Sequence, residues 1–127
     1  MFSAFNQPVA SWDTSGVENM KNVFYGAEEF NQPLPWDVSK VTCTRRMFRG
    51  AKKFNQDISG WNVVSLDDFE EMFTHAKAFN RDLCEWGEKI PDLEMILCPP
   101  KLNVFEDTSC PVNLDPADEE GPWCHAC

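Results

Sequence analysis

At 127 residues the chain falls where one domain is the default and a hydrophobic core can form without metals or cross-links. Lys and Arg number 11 against 21 Asp and Glu, a formal net charge of -10, which excludes nucleic acid and anionic membrane surfaces as first-choice partners. Hydrophobic residues at 43% and charged residues at 25% describe an ordinary folded chain, and no apolar run approaches the roughly 20 residues of a membrane helix, so no direct membrane insertion is expected.

The opening Met1-Phe2-Ser3-Ala4-Phe5 has no basic start, apolar core or small-residue cleavage site, so a targeting segment is expected to have been removed, or the chain to be a fragment. Charge is uneven: residues 1–84 hold 11 acids and 9 bases (net -2), whereas residues 85–127 hold 10 acids and 2 bases (net -8). Cysteine divides the same way, with Cys43 alone early and Cys84, Cys98, Cys110, Cys124 and Cys127 crowded late. Such density predicts disulfides and an oxidising location: secreted, cell-surface or an organelle lumen.

A repeat organises the first two-thirds of the chain. Phe5-Asn6, Phe30-Asn31, Phe54-Asn55 and Phe79-Asn80 recur at spacings of 25, 24 and 25, and Trp12, Trp36, Trp61 and Trp86 at 24, 25 and 25. A third ladder, Val23-Phe24 with Ala27, Met47-Phe48 with Ala51 and Met72-Phe73 with Ala76, keeps the same phase. Met20, Val23, Phe24 and Ala27, like Phe69, Met72, Phe73 and Ala76, follow i, i+3, i+4, i+7, which predicts a short amphipathic helix in each unit. Ser15, Ser39 and Ser65 stand ahead of these segments as predicted N-caps, with Glu18 a capping-box partner of Ser15. Leu34, Trp36 and Val38 alternate with period 2, and Ile58, Trp61 and Val63 less cleanly, predicting a short strand before each helix.

One strand and one short helix cannot bury their apolar side alone, so the units are expected to stack. The predicted fold class is α/β: a short right-handed leucine-rich-repeat-like solenoid of about three and a half coils over residues 1–86, with an atypical last coil and acidic, cysteine-rich cap over residues 87–127. The phenylalanines and tryptophans are expected to form two buried columns, and the asparagine amides to satisfy backbone groups of their own and neighbouring coils.

The string Trp36-Asp37-Val38-Ser39-x-Val41-Thr42, followed by Met47-Phe48-x-x-Ala51-x-x-Phe54-Asn55-Gln56-x-Ile58, resembles the repeat of BspA-like leucine-rich-repeat surface proteins. The resemblance covers roughly residues 1–86 and implies surface exposure and a role in adhesion or recognition, with no catalytic motif. Thr44 and Arg81 depart from the pattern, standing where Met and Gln are usual. Val104-Phe105-Glu106-Asp107-Thr108 resembles one more Met-Phe unit after an insertion around Ile90 to Lys101, and the cysteine-bearing end resembles that of algal members.

Few constellations suggest chemistry. Cys124-His125-Ala126-Cys127, with Cys98 or Cys110, has ligand types for zinc and the spacing of a redox dithiol, but structural disulfides are the preferred reading. At least one bond is expected among Cys98, Cys110, Cys124 and Cys127, with Cys43 left as a thiol. The run Asp115 to Glu120 lacks the spacing of a calcium loop and reads as a solvated acidic segment. His75 has no catalytic neighbours in sequence and is assigned a surface or packing role.

The basic run between Lys40 and Lys53 admits an anion-binding reading. Aligning the units on their alanines, however, sets Arg45 and Arg46 in phase with Glu70 and Glu71, and Lys52 and Lys53 with Glu28 and Glu29. Inter-coil ion pairs are therefore expected. The sequence thus predicts a non-enzymatic module, without cofactor or metal, that recognises a protein or glycan. A structural subunit within a larger assembly, and a small metal or thiol-redox protein, remain the alternatives.

Overall fold

Coil-to-coil hydrogen bonding takes the place of helix and strand in the computed structural model, which describes residues 3–96 and 102–127. The α/β reading, with a strand and a helix in each coil of a leucine-rich-repeat-like solenoid, is overturned. Among the described residues the only helices are α1 (Trp86–Lys89), which starts at the last repeat tryptophan, and α2 (Leu93–Ile96), which follows it, of four residues each. Among the described residues no helix is long and apolar enough to cross a membrane. Strand pairing is reduced to isolated bridges, parallel between Asn19 and Cys43 and between Cys43 and Asp68, and antiparallel within Asp118–Gly121 and Trp123–His125.

Each coil is instead a succession of four-residue turns, and the amides of the Met-Phe segment show why. Met20, Asn22, Phe24 and Gly26 donate to the carbonyls of Cys43, Arg45, Met47 and Arg49 in the next coil, at 2.8 to 3.1 Å. The amides between them, of Val23, Tyr25 and Ala27, donate three residues back, to Met20, Asn22 and Phe24. The pattern repeats when Thr44, Arg46, Phe48 and Gly50 donate to Asp68, Glu70, Met72 and Thr74, and again when Glu71, Phe73 and His75 donate to Leu102, Val104 and Glu106. An α-helix would direct every one of these amides four residues back along its own segment. Here alternate amides leave the turn, and no helix closes.

The exchange has a conformational cost that recurs at the same place in each coil. Asn22, Arg46, Glu71 and Asn103 all have φ between 53° and 62°, and Gly26, Gly50, His75 and Asp107 lie between 56° and 72°. For a non-glycine residue the left-handed region costs about 1 kcal/mol or more. The inter-coil bonds offset that cost, and Gly26 and Gly50 avoid it. These glycines lie within the segments whose apolar stripe suggested a helix, where a glycine is itself unfavourable by about 1 kcal/mol. The serines are likewise not N-caps: Ser15 and Ser39 donate through Oγ and backbone N–H to Asp13 and Asp37, while Ser65 Oγ donates to the Ser39 carbonyl.

Inside the stack, three aromatic columns run from coil to coil. Phe24, Phe48, Phe73 and Phe105 stack with centroids 5.5 to 5.7 Å apart, and Phe5, Phe30, Phe54 and Phe79 at 5.8 to 6.1 Å. The two columns touch within each coil at 4.0 to 4.1 Å. Trp12 stacks on Trp36 and Trp61 on Trp86, both at 6.3 Å, distances typical of offset aromatic pairs. Each buried indole also donates to the preceding coil: Trp36 to Val9, Trp61 to Leu34 and Trp86 to Ile58, at 2.9 to 3.2 Å. Trp12 is not in a buried column: its ring is 55% exposed, because Trp36 covers one face and no described residue stacks on the other.

Beyond the repeats, the segment from Leu102 to Thr108 supplies the last stacked turn, and the chain then folds across its end. Asp115 accepts the amides of Leu102, Asn103 and Val104 at 2.8 to 3.1 Å. Asn103 occupies the position whose amide, in earlier coils, donates to a following coil. A carboxylate thus stands in for absent carbonyls. Trp123 is fully buried and tilts against Phe69 at 5.9 Å. Gly87 lies so close beneath this cap that a Cβ would overlap the Glu119 carbonyl and come 2.9 Å from Trp123 Nε1.

Phe54 is fully buried between Phe30 and Phe79 and against Phe48. Phe54→Ala is expected to cost about 3–5 kcal/mol in a urea melt. Trp61→Phe leaves the Leu34 carbonyl without its donor, whereas the buried Trp123 Nε1 has no partner to lose. Trp123→Phe is therefore expected to destabilise less than Trp61→Phe by about 1–3 kcal/mol in the same melts.

Candidate functional site

The repeated turns carry their long side chains outward on one side, where unlike charges meet across the coil junctions. Arg45 pairs with Glu70 and lies 3.5 Å from Asp68, Arg46 donates through Nε and Nη2 to Glu71 at 3.1 and 2.9 Å, and Arg49 also reaches Glu71. On the opposite junction, Lys52 lies 3.4 Å from Glu28 and Lys53 2.6 Å from Glu29. Arg45, Arg46, Arg49, Lys52 and Lys53 of the basic run are therefore engaged by acids of the coils before and after it. One further junction joins His75 Nδ1 to Asp107 at 2.9 Å, with Lys77 at 3.7 Å. Sequence reasoning gave His75 no partner, although extending the alignment from Phe73 to Phe105 puts Asp107 in its phase.

A second polar ladder lies along the stack at the asparagines. Asn6 Oδ1 accepts the Asn31 amide, Asn31 Oδ1 the Asn55 amide and Asn55 Oδ1 the Asn80 amide, at 2.9 to 3.0 Å. Gln32 and Gln56 add a side-chain donor to the same oxygens, and Arg81 Nε instead donates to the Asn55 carbonyl. At the end of the ladder His125 Nε2 lies 2.7 Å from Asn80 Oδ1, in the place a further coil would fill. All four asparagines are thus structural ties.

Four aspartates of this surface ionise more readily than a free carboxyl group. Asp13 and Asp37 are held below the ordinary value by the hydroxyl and amide of Ser15 and Ser39, Asp57 by the amide and hydroxyl of Ser59, and Asp107 by the hydrogen bond from His75. Their charges serve turns and junctions.

The cysteines close the end of the stack. Cys84 is bonded to Cys127 and Cys110 to Cys124, while Cys43 is a free thiol. The two cysteines of Cys124-His125-Ala126-Cys127 thus belong to different bonds, and neither is present as a thiolate ligand or as half of a dithiol. Cys98 lies outside the described residues. Among the described residues no group of three or more His, Cys, Asp and Glu is arranged to hold a metal ion.

The acidic excess gathers beside α1 and α2. A groove of about 740 Å³ is lined by Glu88, Asp92, Glu94, Asp118, Glu119 and Glu120, with Ile90, Leu93 and Met95 among its apolar walls. Met95 is 77% exposed. Among the described residues no Lys or Arg lines this groove, in contrast to the paired charges of the coils.

A family model described as a mycoplasma protein of unknown function, DUF285, matches residues 1–96. The chain belongs to this family. The matched region spans the four Phe-Asn units and reaches the end of α2; the last stacked turn and the Cys110–Cys124 bond lie beyond it, and the Cys84–Cys127 bond joins the matched region to the chain after it. No curated protein and no solved structure matches the chain.

Arg45 and Glu70 are each about one-third exposed. A double-mutant cycle on this pair is expected to give a coupling of about 0–1 kcal/mol at low salt that shrinks at high salt. For the four aspartates the folded-state value lies below the unfolded one, so their contribution is present above about pH 4 and lost as pH falls through the folded-state value. Urea midpoints are expected to drop on acidification below about pH 4, and Asp57→Asn, which keeps an acceptor for Ser59 but cannot titrate, flattens that dependence.

Proposed function

We propose that this protein is a non-enzymatic recognition module acting at a cell surface or in another oxidising setting. The observation that carries the reading is the division of labour among side chains. Recurring phenylalanines, asparagines and tryptophans are spent on holding one coil to the next. The groups that break the repeat, above all the acidic groove with its exposed Met95, face solvent. Such an arrangement suits a scaffold that displays a surface. Two disulfides and membership of a mycoplasma family fit an extracellular or oxidising location, and the closer resemblance to BspA-like surface proteins belongs to the same proposal.

The partner is a protein or glycan, and the groove favours a protein segment that combines positive charge with an apolar side chain. A second reading, a structural subunit of a larger assembly, draws on the exposed Trp12, on whose second ring face no described residue stacks.

The test is capture of surface-exposed material on the immobilised, disulfide-intact chain and on a Glu88→Lys, Glu119→Lys, Glu120→Lys variant of equal thermal stability. A partner retained by the native chain and lost from the variant is the expected result. Equal capture by both, or by neither, contradicts the groove reading. Assembly of the purified chain into a defined oligomer with Trp12 quenched favours the structural subunit.

A further inference from the structure

The two disulfides differ sharply in their surroundings. Cys110 is 8% exposed and Cys124 fully buried, next to the buried Trp123. Cys127 is exposed and Cys84 partly so. Cys84 also lines an open depression of about 380 Å³ together with Asn80, Arg81, Glu85 and His125, so solvent reaches the Cys84–Cys127 bond from the side of the asparagine ladder. What this bond restrains is equally specific. It anchors the turn that carries His125, whose Nε2 covers Asn80 Oδ1 at 2.7 Å and whose carbonyl accepts the Trp123 amide at 3.0 Å.

We propose that Cys84–Cys127 is a thiol-exchange site: a dithiol opens this bond selectively and uncovers the end of the asparagine ladder while Cys110–Cys124 keeps the rest of the cap in place. A thiolate of the dithiol attacks Cys127 Sγ and forms a mixed disulfide. The Cys84–Cys127 bond breaks, its electron pair leaves on Cys84 Sγ, and that thiolate takes up a proton. The second thiol of the reagent then attacks its own mixed sulfur, releasing Cys127 as a thiol and leaving the reagent as a cyclic disulfide. One disulfide is reduced and one dithiol oxidised. The attack is directed to this bond by access, since thiol–disulfide exchange requires approach of the nucleophile to sulfur.

Gly121 sets how well the bond is seated. Its φ is +102°, and a Cβ there would lie 2.8 Å from Cys127 Sγ and 3.1 Å from the Trp123 amide nitrogen. Only glycine lets the sulfur rest on this turn without displacement. The Leu83 amide donates to the Trp123 carbonyl and the Val112 amide to the Cys124 carbonyl, ties of the buried part of the cap that do not run through the Cys84–Cys127 bond.

The experiment exposes the folded chain, under native conditions, to graded dithiothreitol, quenches with acid, alkylates and quantifies each cysteine by peptide mass spectrometry. Cys84 and Cys127 are expected to be labelled at least about tenfold faster than Cys110 and Cys124. Gly121→Ala is expected to widen that ratio. The urea midpoint of a Cys84→Ser, Cys127→Ser variant and its His125 ring NMR signals provide a second measurement. A folded stack with the His125 ring moved to solvent-like shifts supports selective uncovering. Equal or reversed labelling rates overturn the proposal, as does a double-serine variant that unfolds, because the bond would then be a staple of the whole chain.

Discussion

The structure depends on one exchange: alternate amides of each Met-Phe turn are given up by their own segment and donated to a carbonyl of the next coil. Everything regular about the molecule follows from it. Donating outward at every second residue forces the left-handed positions at Asn22, Arg46 and Glu71 and at Gly26, Gly50 and His75. Repeating the donation at a fixed residue spacing brings identical side chains into line, which is why the phenylalanine rings stack in columns and the asparagines form a ladder. Neither the rings nor the amides would hold a single coil in this shape alone; each gains its partner only when the next coil is present.

A stack built this way must be finished by something that is not another coil, and the cap does so with three substitutes. Asp115 replaces a set of backbone carbonyls, His125 replaces the next coil's donors at Asn80, and Trp123 fills space against Phe69. The disulfides hold these substitutes in position, since the segment carrying them has little regular structure of its own. Charge pairing is also less complete beside the cap. Coil junctions match Arg45, Arg46 and Arg49 with Glu70 and Glu71, whereas the groove beside α1 and α2 collects acids with no basic side chain among the described residues that line it. The paired charges of the coil junctions and the acidic groove therefore lie in different parts of the sequence.

The period of the repeat is readable because aromatic and amide residues are large, rare and recur at 24 or 25 positions. The conformation within the period is less readable, for a physical reason. Met20, Val23, Phe24 and Ala27 have helical spacing, but four-residue turns bring the same positions inward, so periodicity does not separate the two. Gly26 and Gly50 were the available signal against a helix, as residues within the segment that a helix disfavours. Ser15 and Ser39 misled in a similar way, because a serine two residues after an aspartate closes an Asx turn as readily as it caps a helix. The cysteine pairing lies beyond sequence, since six cysteines allow 15 connectivities. The roles of Asp115 and His125 are equally hidden, because each substitutes for backbone or side-chain groups of a coil that is not there.

Scalar couplings across hydrogen bonds, measured by NMR on the uniformly labelled chain, test the inter-coil exchange directly because they name the acceptor of each amide. Couplings are expected from the Phe24 nitrogen to the Met47 carbonyl carbon and from the Phe48 nitrogen to the Met72 carbonyl carbon. Couplings from Phe24 to Met20 and from Phe48 to Thr44, four residues back, would show that the repeats are helical and would contradict the architecture described above.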